Sequence, residues 1–186
     1  MRLEILTEEK SMEVFLRGLL PRILLDTFVL DSNCFIHSHE GKSHLVKSIP
    51  RKMKAYPKFP EEVRVLIIHD QDSNDCIKLK NKLTKLCSAE LHCLVRIACR
   101  ELENWYLGDF KAIECVFPEV NAAKYLGKAK YRTADRLTGA EEIKKLSKEF
   151  SKTQTAREIG KVIDFKNNKS VSFNHFISGL QKLLAY

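Results

Sequence analysis

Asp70 and Asp72 stand two residues apart directly after the apolar run 63–68, and Asp75 follows closely. Crowded carboxylates repel one another and are costly to bury unless something positive pairs with them. Glu8 and Glu9 occupy the matching place after the first apolar run, residues 1–6. Ligands of an open α/β sheet bind outside the carboxyl ends of its strands, where both sets of acids fall. In an extended exit Asp70 and Asp72 point the same way, and Glu8 reaches the same point if the first and third strands are neighbours. Three hard oxygen ligands suit Mg²⁺ or Mn²⁺. Such an ion stabilises a phosphoryl transition state and activates water. Glu8 is then expected as general acid/base or metal ligand, and Asp70 and Asp72 as the metal pair. The other reading of the same residues is an ordinary β-to-α turn in which Asp72 or Ser73 caps the next helix.

A second acidic group follows the fourth apolar run, in "RIACRELENWYLGD". Glu101 and Glu103 diverge on a helix and converge on a strand. Glu103, beside Trp105, is the expected auxiliary ligand, and a solvated first helical turn is the alternative. Trp105 and Tyr106 read as core anchors. Lys42, Arg96 and Arg100 are the cations expected to meet phosphate, with pairing to nearby glutamates as the plain alternative for the arginines. Arg132 sits with Lys128, Lys130, Arg136 and Tyr131 in a basic segment that suits nucleic acid or simply solvent. His69 and His175 are possible acids or bases without an identifiable partner. Cys34, His37 and His39 make a poor zinc set, because no second ligand pair lies at usable spacing.

These residues need elements to place them. Residues 11–24 carry Met12, Phe15, Leu16, Leu19, Leu20, Ile23 and Leu24 at helical spacing. Ser11 is a candidate cap, and Pro21 should end the helix near Leu20. Residues 27–39 read as extended. Residues 41–56 read as a helix interrupted by Pro50, 63–69 as a strand, and 75–87 as a helix with the stripe Ile77, Leu79, Leu83, Leu86. Residues 92–100 form a further strand, and 101–117 a helix stopping before Pro118. Alternation of this kind predicts an α/β sandwich with a mostly parallel sheet of about four strands. Domain bounds are expected at 1–118 for the α/β core and 119–186 for a basic loop and helical extension, one domain overall. Three helices are expected in that extension, within 140–150, 155–165 and 173–184, with Ser170 or Ser172 capping the last.

The 186 residues carry a net charge of +8, which favours anionic partners such as DNA or RNA. No apolar stretch is long enough to span a bilayer, and the start lacks the build of a signal peptide. A cytoplasmic protein without membrane association is expected. Its six cysteines, with no CxxC pair, are read as reduced thiols.

In order along the chain, "ILTEEKSMEVFLRGLLPRIL", "HEGKSHLVKSIPRKMKAY", "VLIIHDQDSNDCIKLKNKL", "VRIACRELENWYLGDFKAIECVFP", "YRTAD" and "NKSVSFNHFISGL" carry a resemblance to a known family. Over nearly its whole length the chain resembles a bacterial family of Toprim-like proteins catalogued as a domain of unknown function. The resemblance implies the Toprim fold of topoisomerases, primases and overcoming-lysogenization-defect nucleases, a Rossmann-like sandwich. It implies Glu8 as the family's glutamate after the first strand and Asp70 and Asp72 as its metal-binding pair. Glu9 stands where Toprim enzymes usually carry glycine, and "YRTAD" departs from the family's "YRDPD" at two positions. Also implied are a Mg²⁺-dependent nuclease acting on DNA or tRNA/RNA and an ABC/SMC-like ATPase partner in an anti-phage defence system. The alternative is a non-catalytic Toprim-like module that docks on and regulates such an ATPase. A homo-oligomer is compatible with either.

Overall fold

Four short, β-branched-rich strands build the sheet of this chain, whose computed structural model describes residues 1–185. Strands β1 (Arg2–Thr7), β2 (Cys34–Ser38), β3 (Val63–Asp70) and β4 (His92–Ala98) pair in the order β2-β1-β3-β4. All three pairings are parallel. The first and third strands are therefore neighbours, with Thr7 opposite Ile68. The chain steps from β1 outward to β2 and then back to the other side of β1. Such a reversal opens a crevice at the carboxyl ends of the two central strands.

The alternation along the strands divides the interior into two layers. Leu3, Ile5, Leu66, Ile68 and Ala98 face one side. There they meet α1 (Lys10–Leu19), α4 (Glu103–Leu107), α5 (Phe110–Val116), α7 (Gly139–Leu146), α8 (Lys152–Val162) and α9 (Val171–Leu184), numbered in chain order with α6 (Ala123–Leu126). Leu6, Val65, Ile67, Val95 and Ile97 face the other side, against α2 (Lys42–Ala55) and α3 (Cys76–Thr84). Trp105 anchors the first layer: its ring stacks on Phe176 at 5.1 Å and lies 5.8 Å from Phe15. The C-terminal helices thus share the core of the strands.

Several local expectations need correcting. The second strand is only Cys34–Ser38; most of the segment before it is turn. Helix α2 runs unbroken through Pro50. Glu9, not Ser11, precedes the first turn of α1, and Ser11 is buried inside the helix. Pro21 does end α1, in a 3-10 turn at Leu20–Arg22. Ile77 is 72% exposed, so the apolar face of α3 narrows to Leu79 and Leu83. No helix among the described residues is long and apolar enough to cross a membrane.

Helices α1 and α8 touch backbone to backbone. A Cβ on Gly160 would lie 2.2 Å from the carbonyl oxygen of Phe15, and one on Gly18 would lie 2.9 Å from Gly160. Gly160→Ala should therefore force the helices apart, at a cost of about 1–3 kcal/mol. At this chain length each kcal/mol lowers the thermal midpoint by roughly 2–4 °C. A variant that melts with wild type would show that the helices can part without penalty.

Candidate functional site

Carboxylates gather at the carboxyl ends of β1 and β3. Glu8 follows β1 and is buried; Asp70 is the last residue of β3. Beyond it the backbone turns at once: Asp72 has φ +50°, in the left-handed region. The extended exit expected for Asp70 and Asp72 is thus a tight turn, held by bonds to the exit of β4. Gln71 N donates to Ala98 O at 2.9 Å, and Asp72 N to Arg100 O at 2.7 Å. Arg100, itself at φ +64°, donates its N–H to Gln71 Oε1 at 3.0 Å. Capping of α3 falls to Asp75, whose Oδ1 accepts from Lys78 N at 2.8 Å. Asp70 and Asp72 are free of that duty, which removes the plain reading of the aspartates.

Glu103 opens α4 and is fully buried, with no hydrogen-bond partner for either oxygen. Asp70 Oδ1 and the Tyr106 hydroxyl are likewise buried and unpartnered. Glu101 parts from Glu103, as helical geometry requires, and accepts from Ala140 N at 2.8 Å at the start of α7. Burial, with the repulsion of Glu103, Glu8, Glu9 and Asp72, pushes the Asp70 carboxyl well above the usual range. Burial, then the charge of Asp72, raises Glu8 to about 7. Burial likewise raises Glu103 to about 7. Each mutual repulsion places the acids within electrostatic reach of one another.

Two lysines partly offset this charge. Lys42, at the start of α2, pairs with Asp72. Lys152, at the start of α8, pairs with Glu9 at 2.6 Å. Burial works against the charge of Lys152, but Glu9, Glu103 and Asp70 together hold its pKa above the ordinary value. His69 Nδ1 lies 2.6 Å from Asp70 O and 3.1 Å from Glu8 Oε2. A carbonyl can only accept, so Nδ1 carries the proton and donates it there. Burial lowers the His69 pKa and favours the neutral ring.

The "YRTAD" segment has a structural task. Tyr131 is buried against Phe110 and Tyr125, so it is no nucleic-acid platform. Asp135 accepts from Ser170 Oγ at 2.5 Å and Ser172 N at 2.9 Å, and Ser172 Oγ in turn accepts from Trp105 Nε1 at 2.9 Å. Asn104 Nδ2 donates to Ala134 O at 2.7 Å and Leu137 O at 2.8 Å. The segment holds Asn104, next to Glu103 on α4, and reaches Trp105 through Ser172. Ser170 caps α9 as expected, accepting from Phe173 N at 3.1 Å.

Other expected residues lie elsewhere. Arg96 turns to α9, donating from Nε to His175 O at 2.9 Å, and Arg132 is exposed on the 3-10 turn Ala129–Arg132. His37 bonds Glu4 at 2.5 Å and His39 bonds Thr7 O at 2.8 Å, so Cys34, His37 and His39 do not converge. The cysteines are all free thiols. Among the described residues no group of three or more His, Cys, Asp or Glu side chains is arranged so that it could hold a metal ion. The acids at these strand ends are hard oxygen donors, with Asp70 Oδ1 and both Glu103 oxygens left without a partner among the described residues; by donor type they suit Mg²⁺ or Mn²⁺ better than a soft metal. Sequence reasoning missed Lys152, Tyr106 and the ion pair of Glu9. Only the paired glycines 18 and 160 could have hinted at the approach of α8.

The family described as "Domain of unknown function (DUF4276)" matches residues 7–181. The chain belongs to this family. Among solved structures, the DUF4276 chain is similar to the "C-terminal region of the Burkholderia pseudomallei OLD protein". The TM-score is 0.56 at 14% identity, over 98% of this chain and 96% of that one. At that identity the likeness is one of fold, and it bears out the Toprim-like α/β sandwich with its C-terminal helical extension. No curated protein matches the DUF4276 chain.

Proposed function

We propose that the chain is a Mg²⁺- or Mn²⁺-dependent hydrolase of phosphodiester bonds in nucleic acid. The observation that carries the reading is the set of buried, unpartnered oxygens of Asp70 and Glu103 beside Glu8. A folded chain tolerates such a cluster at a cost, and a divalent cation would remove that cost. Asp70, Asp72, Glu8 and Glu103 would hold the ion, with Asp72 released from Lys42 on binding. The bound ion would polarise the phosphate and lower the pKa of a water.

The chain's own groups do the rest. Glu8, raised to about 7 in the metal-free chain, would serve proton transfer from the attacking water in the form where it does not bind the ion. As the water oxygen bonds to phosphorus, the bond to the leaving strand breaks and its oxygen takes up a proton. Lys42 and Lys152 are placed to meet the non-bridging oxygens, and Arg100 stands on the loop that holds Asp72. His69, fixed by the Asp70 carbonyl, supports one wall.

The test is incubation with DNA, single strands and tRNA in Mg²⁺, Mn²⁺ or chelator, with metal-dependent thermal shift read in parallel. Metal-dependent cleavage that Glu8→Gln reduces by about 10²–10⁴ is expected, the usual worth of general acid–base catalysis. Neither cleavage nor thermal shift with either metal would overturn the reading. The second reading, a module docking on an ABC/SMC-like ATPase in a defence system, has one observation in its favour. Leu25 and Val29, after α1, are 54% and 56% exposed. It predicts that Asp70→Asn leaves partner binding and biological output intact.

A further inference from the structure

The open edge of β4 carries cations where a core-facing strand should carry apolar side chains. Leu94 and Ala98 face the α9 layer, so the alternation puts His92 and Arg96 on that same face. Register sets Arg64 of β3 opposite His92, and Ile68 opposite Arg96. With Lys182 of α9, the side chains of Arg64, His92, Leu94 and Arg96 line a cavity of about 390 Å³ that no Asp or Glu lines. Arg64 is committed, through Glu62 and the Leu183 carbonyl at the end of α9.

Arg96 differs. A Cβ on Gly179 would fall 2.1 Å from its Nη2, so α9 carries a glycine where the guanidinium lies. Its protein bonds are to backbone carbonyls, His175 O at 2.9 Å and Val95 O at 3.2 Å, and no carboxylate among the described residues pairs with it. A guanidinium has five N–H donors, and a strut needs only these two. Arg96 also lines a neighbouring cavity of about 250 Å³ with Cys99 and Lys80, which reaches the carboxyl end of β4. There Arg100 O holds the turn of Asp72.

We propose that the β4–α9 cavity is a second phosphate site, which seats a backbone phosphate of a nucleic-acid strand away from the acid cluster. The occupant rests on the nucleic-acid reading above; the anion chemistry rests on the cavity alone. Arg96 and Lys182 clamp the phosphate, and His92 closes the rim.

Binding of a labelled single-stranded oligonucleotide in chelator, followed by anisotropy over a salt series, tests this. Lys182 and His92 are exposed, so Lys182→Glu and His92→Glu should fold. Lys144→Glu on α7, exposed and equal in charge change to Lys182→Glu and larger than His92→Glu, is the control. Both cavity variants should weaken binding more than the control, and the slope of log K against log salt should fall by about 0.7 for each phosphate no longer neutralised. Equal weakening by all three would overturn the site. Inorganic phosphate stabilising wild type but not Lys182→Glu, with oligonucleotide binding unaffected by that change, would overturn the nucleic-acid occupant. Cleavage is scored separately. Lys182-dependent binding without cleavage would sink the catalytic reading and uphold this one.

Discussion

Asp70→Asn is expected to raise the thermal midpoint of the metal-free protein while abolishing metal-dependent cleavage. The two effects have one origin. Asp70 is half-buried, its Oδ1 is buried without a partner among the described residues, and the charges of Glu103, Glu8, Glu9 and Asp72 press on it. Near pH 7 the unfolded chain ionises this carboxyl freely, whereas the fold resists ionisation, so folding bears the difference at about 1.4 kcal/mol per pKa unit. Asparagine removes that charge and offers N–H donors to the surrounding acids. Stability should rise, and the midpoint with it by about 2–4 °C for each kcal/mol in a chain of this length. Metal stabilisation, which follows the logarithm of occupancy, should vanish in the same variant. A Lewis-acidic ion supplies several kcal/mol to phosphoryl transfer. Its loss therefore costs roughly a thousandfold or more in rate. Thermal melts with and without Mn²⁺, beside single-turnover cleavage, measure all of this. A variant less stable than wild type in chelator would show that Asp70 is a structural acid.

Glu103→Gln should reveal the same strain as a pH dependence. The folded pKa of Glu103 is raised from 4.5 to about 7. Below pH 4.5 the residue is protonated in both states and contributes no difference. Between 4.5 and 7 the folded chain binds the proton more tightly, so stability declines as pH rises through that window and then levels off. The gap between Glu103→Gln and wild type should be near zero at the acid end and grow to about 3 kcal/mol by neutrality. Burial lowers the pKa of His39 and His69, which gives the opposite slope below 6.5; both variants carry those rings, so the comparison cancels them. Glu8 shares the charge, and the two acids together should yield less than twice the single effect. Urea unfolding at stepped pH in chelator measures the gap, and saturating Mn²⁺ should reverse its sign. A gap that does not vary with pH would rule out an ionisable Glu103 as its source.

The positions of Glu8, Asp70 and Asp72 could be read from the chain because strand ends are local features. Apolar runs end abruptly, and a parallel sheet gathers such ends along one edge. Glu103 was legible for a similar reason, standing just past the fourth run. Lys152 was not: its place depends on the glycine contact between α1 and α8, which brings together residues with 143 positions between them. Arg96 was misplaced because nearness to an acidic exit in sequence says nothing of strand face, and period-two alternation turns it beneath α9. Ile77 misled in the opposite way. Apolar type suggested a buried stripe wider than the sheet can cover. Tyr131, read with its basic neighbours as a nucleic-acid or solvent contact, is drawn inward by Phe110 and Tyr125.

Because Lys152 comes from so late in the chain, the acids have a distinct history during synthesis. Glu9, Asp70 and Glu103 leave the ribosome well before the lysine that pairs with Glu9, and before Asp135, Ser170 and Ser172 secure α4. At each earlier length the emerging sheet would have to bring together carboxylates with no counter-charge from α8. The crevice should therefore stay open and hydrated until translation has passed the start of α9, whatever reaction the finished cluster performs. Premature termination anywhere before that point should yield a polypeptide for proteases, not a partly assembled site.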